Sequence, residues 1–159
     1  MLSEPERRHL EEHIAHYPQK RAGAIYVLQF LQQKYGYLHD EAMEEASRLC
    51  ELSVTQLDEL ATFYTLLLRR PAGKTVVRIC DSIACYLSGA RALLAEAERL
   101  TGVPLGAVSD DGAVTVMPHV CLGLCERAPA ALVGEREAGP LDKAALRALI
   151  AALKAGAEG

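Results

Sequence analysis

Residues 75–90 read TVVRICDSIACYLSGA, and this stretch decides how the second half of the chain is understood. Thr75 to Cys80 is rich in β-branched residues and reads as a strand. From about Tyr86 to Leu100 the apolar spacing changes to that of a helix, with Leu87, Ala90, Leu94 and Ala97 facing inward, and Thr101-Gly102 ends it. Cys80 and Cys85 therefore sit where a strand gives way to a helix. A second run, HVCLGLCERAP at 119–129, carries Cys121 and Cys125 directly after another predicted strand, Ala113 to Met117, which the turn Asp110-Asp111-Gly112 introduces. If the two strands are neighbours in one sheet, both cysteine loops emerge at the same edge and four thiols converge.

The rest of this half fits a layered α/β unit. Ala130 to Val133 reads as a further short strand, and Asp142 caps a last helix with Leu146, Leu149, Ile150 and Leu153 inward. The order β-α-β-β-β-α is similar in outline to thioredoxin. Upstream of the break at Arg70-Pro71-Ala72-Gly73 the pattern is helical throughout. Ser3 with Glu6 makes a capping box with Pro5 in the first turn, and this helix stops before Pro18. A second helix spans about Arg21 to Tyr35, with Ile25, Leu28 and Leu31 on one side, and Gly36 ends it. Asp40 is expected to cap a third ending near Cys50, and Ser53 with Gln56 opens a fourth through Leu57, Leu60 and Tyr64. The expected fold class is thus α+β: an N-terminal four-helix bundle over 1–72, then a thioredoxin-like α/β domain over 73–159, with a frayed tail from Ala155 to Gly159.

Composition narrows the function classes. The net charge of −4 comes with no basic stripe, which argues against a nucleic-acid partner. No apolar run approaches the roughly 20 residues that span a bilayer, and the charged start MLSEPERRHLEEH lacks the apolar core of a signal peptide. The expectation is a cytoplasmic chain without direct membrane insertion. In that compartment thiols stay reduced, so five cysteines point to a cofactor with one leftover, Cys50, packed on an apolar helix face.

The spacing C-x4-C at Cys80 and Cys85, with C-x3-C at Cys121 and Cys125, suits a [2Fe–2S] cluster, in which each iron needs two thiolates beyond its bridging sulfides. Cys80 and Cys85 would take one iron and Cys121 and Cys125 the other. Gly123 lets the second loop fold closely around the sulfurs, and backbone N–H groups of both loops can then bond to them. Structural zinc uses the same ligands in pairs separated by about two to four residues, so a zinc-stabilised interaction module remains a second reading. A redox dithiol would want C-x-x-C, which neither pair offers. His119 is read as a strand residue or as a donor to a cluster sulfur. His9, His13 and His16 share a helix face and read as a solvated surface, as do Glu44, Glu45, Arg69 and Arg70. Isolated glycines, with no G-x-G-x-x-G after a strand, give no phosphate loop. Phe63, Tyr64, Leu66, Leu67 and Leu68 make the fourth helix unusually apolar, and part of it is expected to be partner surface.

CDSIACYLSGA followed by HVCLGLCERAP resembles the small [2Fe–2S] subunits of respiratory complex I, the NADH:quinone oxidoreductase. The likeness extends upstream through GYLHDEAMEEASRLCELSVTQLDELATFYTLLLRRPAGK, with FYT at Phe63-Tyr64-Thr65, and runs from about His16 to Leu153. The resemblance implies a helical bundle before a thioredoxin-like ferredoxin domain, with Cys80, Cys85, Cys121 and Cys125 holding one [2Fe–2S] cluster. It implies docking on a larger subunit that alone carries FMN and binds NADH, one-electron transfer beside that flavin, and no catalysis by the small subunit alone. Further peripheral-arm subunits would hold the chain on the cytoplasmic face of the inner membrane. Soluble NAD-dependent formate dehydrogenases and hydrogenases contain similar subunits, and the motif leaves the host complex open.

Overall fold

The computed structural model describes residues 2–156; the expected fraying of residues 157–159 lies outside them. Close contacts divide the chain into two compact units, one through Pro71 and one from Ala72.

The first unit holds α1 (Glu4–Ala15), α2 (Ala24–Tyr35), α3 (Asp40–Cys50) and α4 (Val54–Phe63), with a short 3-10 turn, Lys20–Gly23, ahead of α2. Local chemistry explains the boundaries. Glu6 accepts from the Ser3 N–H at 2.7 Å, and Gln56 accepts from the Ser53 N–H at 3.0 Å, so both expected capping boxes are formed. The cap of α3 is His39, whose Nδ1 accepts from the Ala42 N–H at 3.3 Å. Asp40, expected there, is instead the first helical residue and bonds Arg69 at 3.0 Å.

Leu10 and Ile14, Val27, Leu28 and Leu31, Met43 and Leu49, and Leu57 close one core, with Cys50 fully enclosed among them. Burial pushes the Cys50 thiol up to about 11, so it stays protonated. Glu45 is not surface charge: it is buried and accepts from the Leu2 N–H at 2.8 Å, with Arg7 and the Tyr35 hydroxyl nearby. Nor is Arg69 free on the surface, since it bonds Asp58, Asp40 and the Leu38 carbonyl. A charged side chain on a helix or link looks solvated until its tertiary partner is known, which is why sequence alone misplaces both. His9 bonds the Tyr26 hydroxyl at 2.9 Å, and His13 stacks on the Tyr26 ring with centroids 3.6 Å apart.

The second unit is built on a four-stranded sheet of order β2-β1-β3-β4, from β1 (Thr75–Cys80), β2 (Val114–His119), β3 (Ala131–Val133) and β4 (Arg136–Ala138). β1 runs parallel to β2 and antiparallel to β3, and β3 is antiparallel to β4. Parallel neighbours need a crossover, which α5 (Ile83–Leu87) and α6 (Ala90–Thr101) supply. α7 (Lys143–Lys154) completes the unit, capped by Asp142 accepting from the Ala145 N–H at 2.7 Å. Val77, Ile79, Val114, Val116, Ala131 and Val133 cover one sheet face and pack with Leu93, Leu94 and Ala97 of α6 and Leu146, Ile150 and Leu153 of α7. At the start of β1, a Cβ on Gly73 would stand 2.6 Å from the Val114 backbone, so only glycine fits this approach.

Two helices replace the single one expected from Tyr86. Ser88-Gly89 interrupts the run, Gly89 being left-handed at φ +97°, and the register rotates across the break. Ala90, Leu94 and Ala97 stay inside, but Leu87 turns outward and is 79% exposed. Together these elements form a mixed α+β structure, helical in the first unit and built on a mixed four-stranded sheet in the second.

Candidate metal centre

The parallel register of β1 and β2 positions the site. Cys80, the last residue of β1, lies opposite His119, the last residue of β2. Both strands therefore end at the same sheet edge, and the loops bearing Cys85, Cys121 and Cys125 start there together. The two loops interlock through their backbones. The Cys80 sulfur accepts from the N–H of Ser82 in its own loop and of Leu122 in the other, while the Cys85 sulfur accepts from the N–H of Ala130. Gly123 donates to the Cys121 sulfur at 3.4 Å.

The thiols form two pairs. Cys121 and Cys125 have their sulfurs 3.7 Å apart, and Cys80 and Cys85 are within hydrogen-bonding reach of each other. A tetrahedral metal with metal–sulfur bonds of about 2.3 Å, the zinc–thiolate value, holds two sulfurs about 3.8 Å apart, so the second pair already has the spacing of two ligands on one metal. The pairs are close enough for the charge of Cys80 to act on Cys125 and that of Cys125 on Cys85. Among the described residues no three His, Cys, Asp or Glu side chains form the shell of a single ion. The arrangement is two thiols beside two.

Electrostatics differ across the four. Burial raises the Cys80 thiol, but the Ser82 and Leu122 N–H groups and the Cys85 thiol outweigh it and hold Cys80 below its ordinary value. Burial, then the neighbouring Cys80, pushes Cys85 up. Cys125 is raised by its hydrogen bond to Cys121 and by the charge of Cys121. Cys80 and Cys85 are buried, whereas Cys121 and Cys125 are exposed. His119 keeps its ring near its own loop, with Nδ1 2.9 Å from the Val120 carbonyl.

The profile of the thioredoxin-like [2Fe–2S] ferredoxins matches residues 10–154, nearly the whole chain and both cysteine loops. The chain belongs to the thioredoxin-like [2Fe–2S] ferredoxin family. Among its relatives, a subunit of the NADH-quinone oxidoreductase of Pseudomonas aeruginosa is 33% identical over 135 residues, covering 85% of this chain and 81% of that one. Its counterpart in the NADH-quinone oxidoreductase of Rhizobium meliloti is 36% identical over 149 residues, covering 94% and 89%. The NAD+-reducing [NiFe]-hydrogenase, crystallised in its air-oxidised state, contains a similar fold: TM-score 0.70 and 27% identity over 82% of this chain. This ferredoxin spans only 23% of that longer hydrogenase chain.

Backbone N–H donors to the sulfurs are expected from both loops; that Leu122 and Ala130 are among them depends on the loops meeting in space, which no local pattern announces. One feature of the ferredoxin site escapes the sequence reading, an apolar rim: Ile83 is 79% exposed, Leu87 is equally exposed, and Val120 is 62% exposed, each within two residues of a site cysteine. The Ser88-Gly89 pair was the available signal, because it breaks the helical register that would have turned Leu87 inward. Phe63, Tyr64 and Leu66 of the first unit are also exposed, while Leu67 is buried.

Proposed function

We propose that Cys80 and Cys85 ligate one iron and Cys121 and Cys125 the other iron of a single [2Fe–2S] cluster, and that the chain passes electrons one at a time. The observation that carries this reading is the interlock of the two loops, in which the Leu122 N–H of one donates to the Cys80 sulfur of the other. Backbone donors of this kind compensate an anionic cluster for leaving water, and they tune its potential. Bound there, the cluster supplies a one-electron acceptor. The residues of the chain fix its ligands, shield one side through buried Cys80 and Cys85, and leave the Cys121 and Cys125 side open.

In this reading residues 1–72 are a helical bundle and 73–159 the [2Fe–2S] domain. The chain is a subunit of a cytoplasmic, peripheral assembly of the NADH:quinone oxidoreductase type. A larger partner binds NADH and FMN, further peripheral-arm subunits attach it to the inner membrane, and the small subunit is not catalytic alone. The names of the Pseudomonas and Rhizobium relatives support this host. The exposed rim of Ile83, Leu87 and Val120 supports a protein partner seated beside the open side of the site. The likeness to an NAD+-reducing hydrogenase supports the equivalent place in a soluble NAD-linked enzyme as a second reading.

The test is an anaerobic visible spectrum with iron, sulfide and zinc analysis. We expect a red-brown protein with two irons and two sulfides per chain, bleached by dithionite. Zinc in a colourless protein would overturn the reading. Cys121→Ser is expected to abolish or severely weaken the chromophore while far-ultraviolet circular dichroism stays helical; an intact reducible signal in that variant would refute the ligand assignment.

A further inference from the structure

A buried cation, Arg78, stands on the strand that ends at a site cysteine, two residues before Cys80. Side chains alternate along β1. Val77 and Ile79 are fully buried in the core with α6 and α7, so Arg78 and Cys80 share the opposite face. The two Cα atoms are roughly 6.6 Å apart along the strand. On β2 the register sets Met117 opposite Arg78 and His119 opposite Cys80. Arg78 is only 5% exposed, and burial disfavours its charge. Guanidinium nonetheless stays protonated in proteins, so the strand that ends on a cluster ligand carries a permanent positive charge within the fold.

Resting on the cluster reading above, we propose that Arg78 sets the reduction potential of the site by favouring its reduced form. Reduction adds one electron and therefore one unit of negative charge to the cluster, with no proton required. A fixed cation nearby lowers the cost of that added charge, and burial keeps water and salt from screening it. The acidic neighbours of the site, Asp81 and Glu126, act in the opposite sense, but both are exposed and accordingly screened. Arg78 does not touch iron; it acts through the field at Cys80 and its neighbours.

The experiment is an anaerobic redox titration of the full chain, reconstituted with iron and sulfide and followed by visible absorbance. It compares the wild type with Arg78→Met, Arg78→Gln and Arg78→Lys. Both neutral variants should be harder to reduce, with the reduced-to-oxidised ratio at a fixed ambient potential falling about tenfold, equivalent to about 59 mV for one electron. Arg78→Lys, which keeps the charge and changes the shape, should stay within about threefold of wild type, roughly half that shift or less. Neutral variants that titrate like the wild type would overturn the proposal, as would a lysine variant that shifts as far as they do. If the neutral variants take up no cluster and the lysine variant does, the charge is needed even to hold the anion, which supports the proposal. If the lysine variant fails with them, the side chain serves the fold by its shape and the proposal falls. A wild type with no reducible cluster would instead sink the reading of the site itself.

Discussion

Gly123 stands between two site thiols with φ at +79°, and an added Cβ would meet no protein atom within 4 Å. Making room is the role its sequence position suggests; what it supplies is the left-handed backbone that turns its N–H onto the Cys121 sulfur. Gly123→Ala should therefore cost about 1–2 kcal/mol through strain alone. Urea denaturation would show this as a lowered midpoint with an unchanged slope, and cluster retention after gel filtration should fall with it. The four cysteines were legible because thiol pairs at ligand spacing are rare by chance and because β-branched residues before each pair announce strands. Their unequal exposure was not legible, since burial depends on which side of the loops the rest of the unit covers.

Between elements, the clearest polar link joins α6 to α7. Glu96 of α6 bonds Arg147 of α7 at 2.6 Å and Arg99 of its own helix at 2.7 Å. Hydrogen bonds from Arg99 and then Arg147 hold its carboxyl at about 2, below the ordinary 4.5. A carboxylate whose folded value is depressed contributes stability that is complete above about 4.5 and is lost as pH falls towards about 2. Glu6, held at about 2 chiefly by its bond to Lys34, titrates in the same window. Glu96→Gln is thus expected to lower the thermal midpoint at pH 7 more than at pH 3, flattening the acid limb; an equal loss at both would contradict this link. Most elements were readable from caps and periodicity, as at Ser3, Ser53 and Asp142. The break at Ser88-Gly89 is marked in the sequence by that pair alone, because the apolar period resumes on its far side. β4 has a place in the expected strand order but no location there, because its Arg136-Glu137-Ala138 has no strand-like composition and pairs only through β3.

For the whole molecule, the separate cores matter more than any single contact. The helical unit closes its core from residues between Leu2 and Leu67, and the sheet unit closes its own from residues between Val77 and Leu153. Leu31, fully buried in α2, belongs wholly to the first. Leu31→Ala should cost that unit about 2–5 kcal/mol, by lost transfer energy and a cavity. The visible spectrum and potential of the second unit should not change; coupled loss of the chromophore at native temperatures would show that the cores are not independent. The change of period at Arg70-Pro71-Ala72-Gly73 falls where the two compact units meet in the sequence, at Pro71 and Ala72.

That division also sets an order of events on the ribosome. Chains emerge at about 5–20 residues per second and their domains fold as units, N-terminal first. Everything the helical core needs has been synthesised before Cys80 appears. The sheet unit, by contrast, lacks Leu146, Ile150 and Leu153 until α7 is made. The newborn polypeptide thus holds the residues of a finished half while its four site thiols still belong to an open, unfinished one.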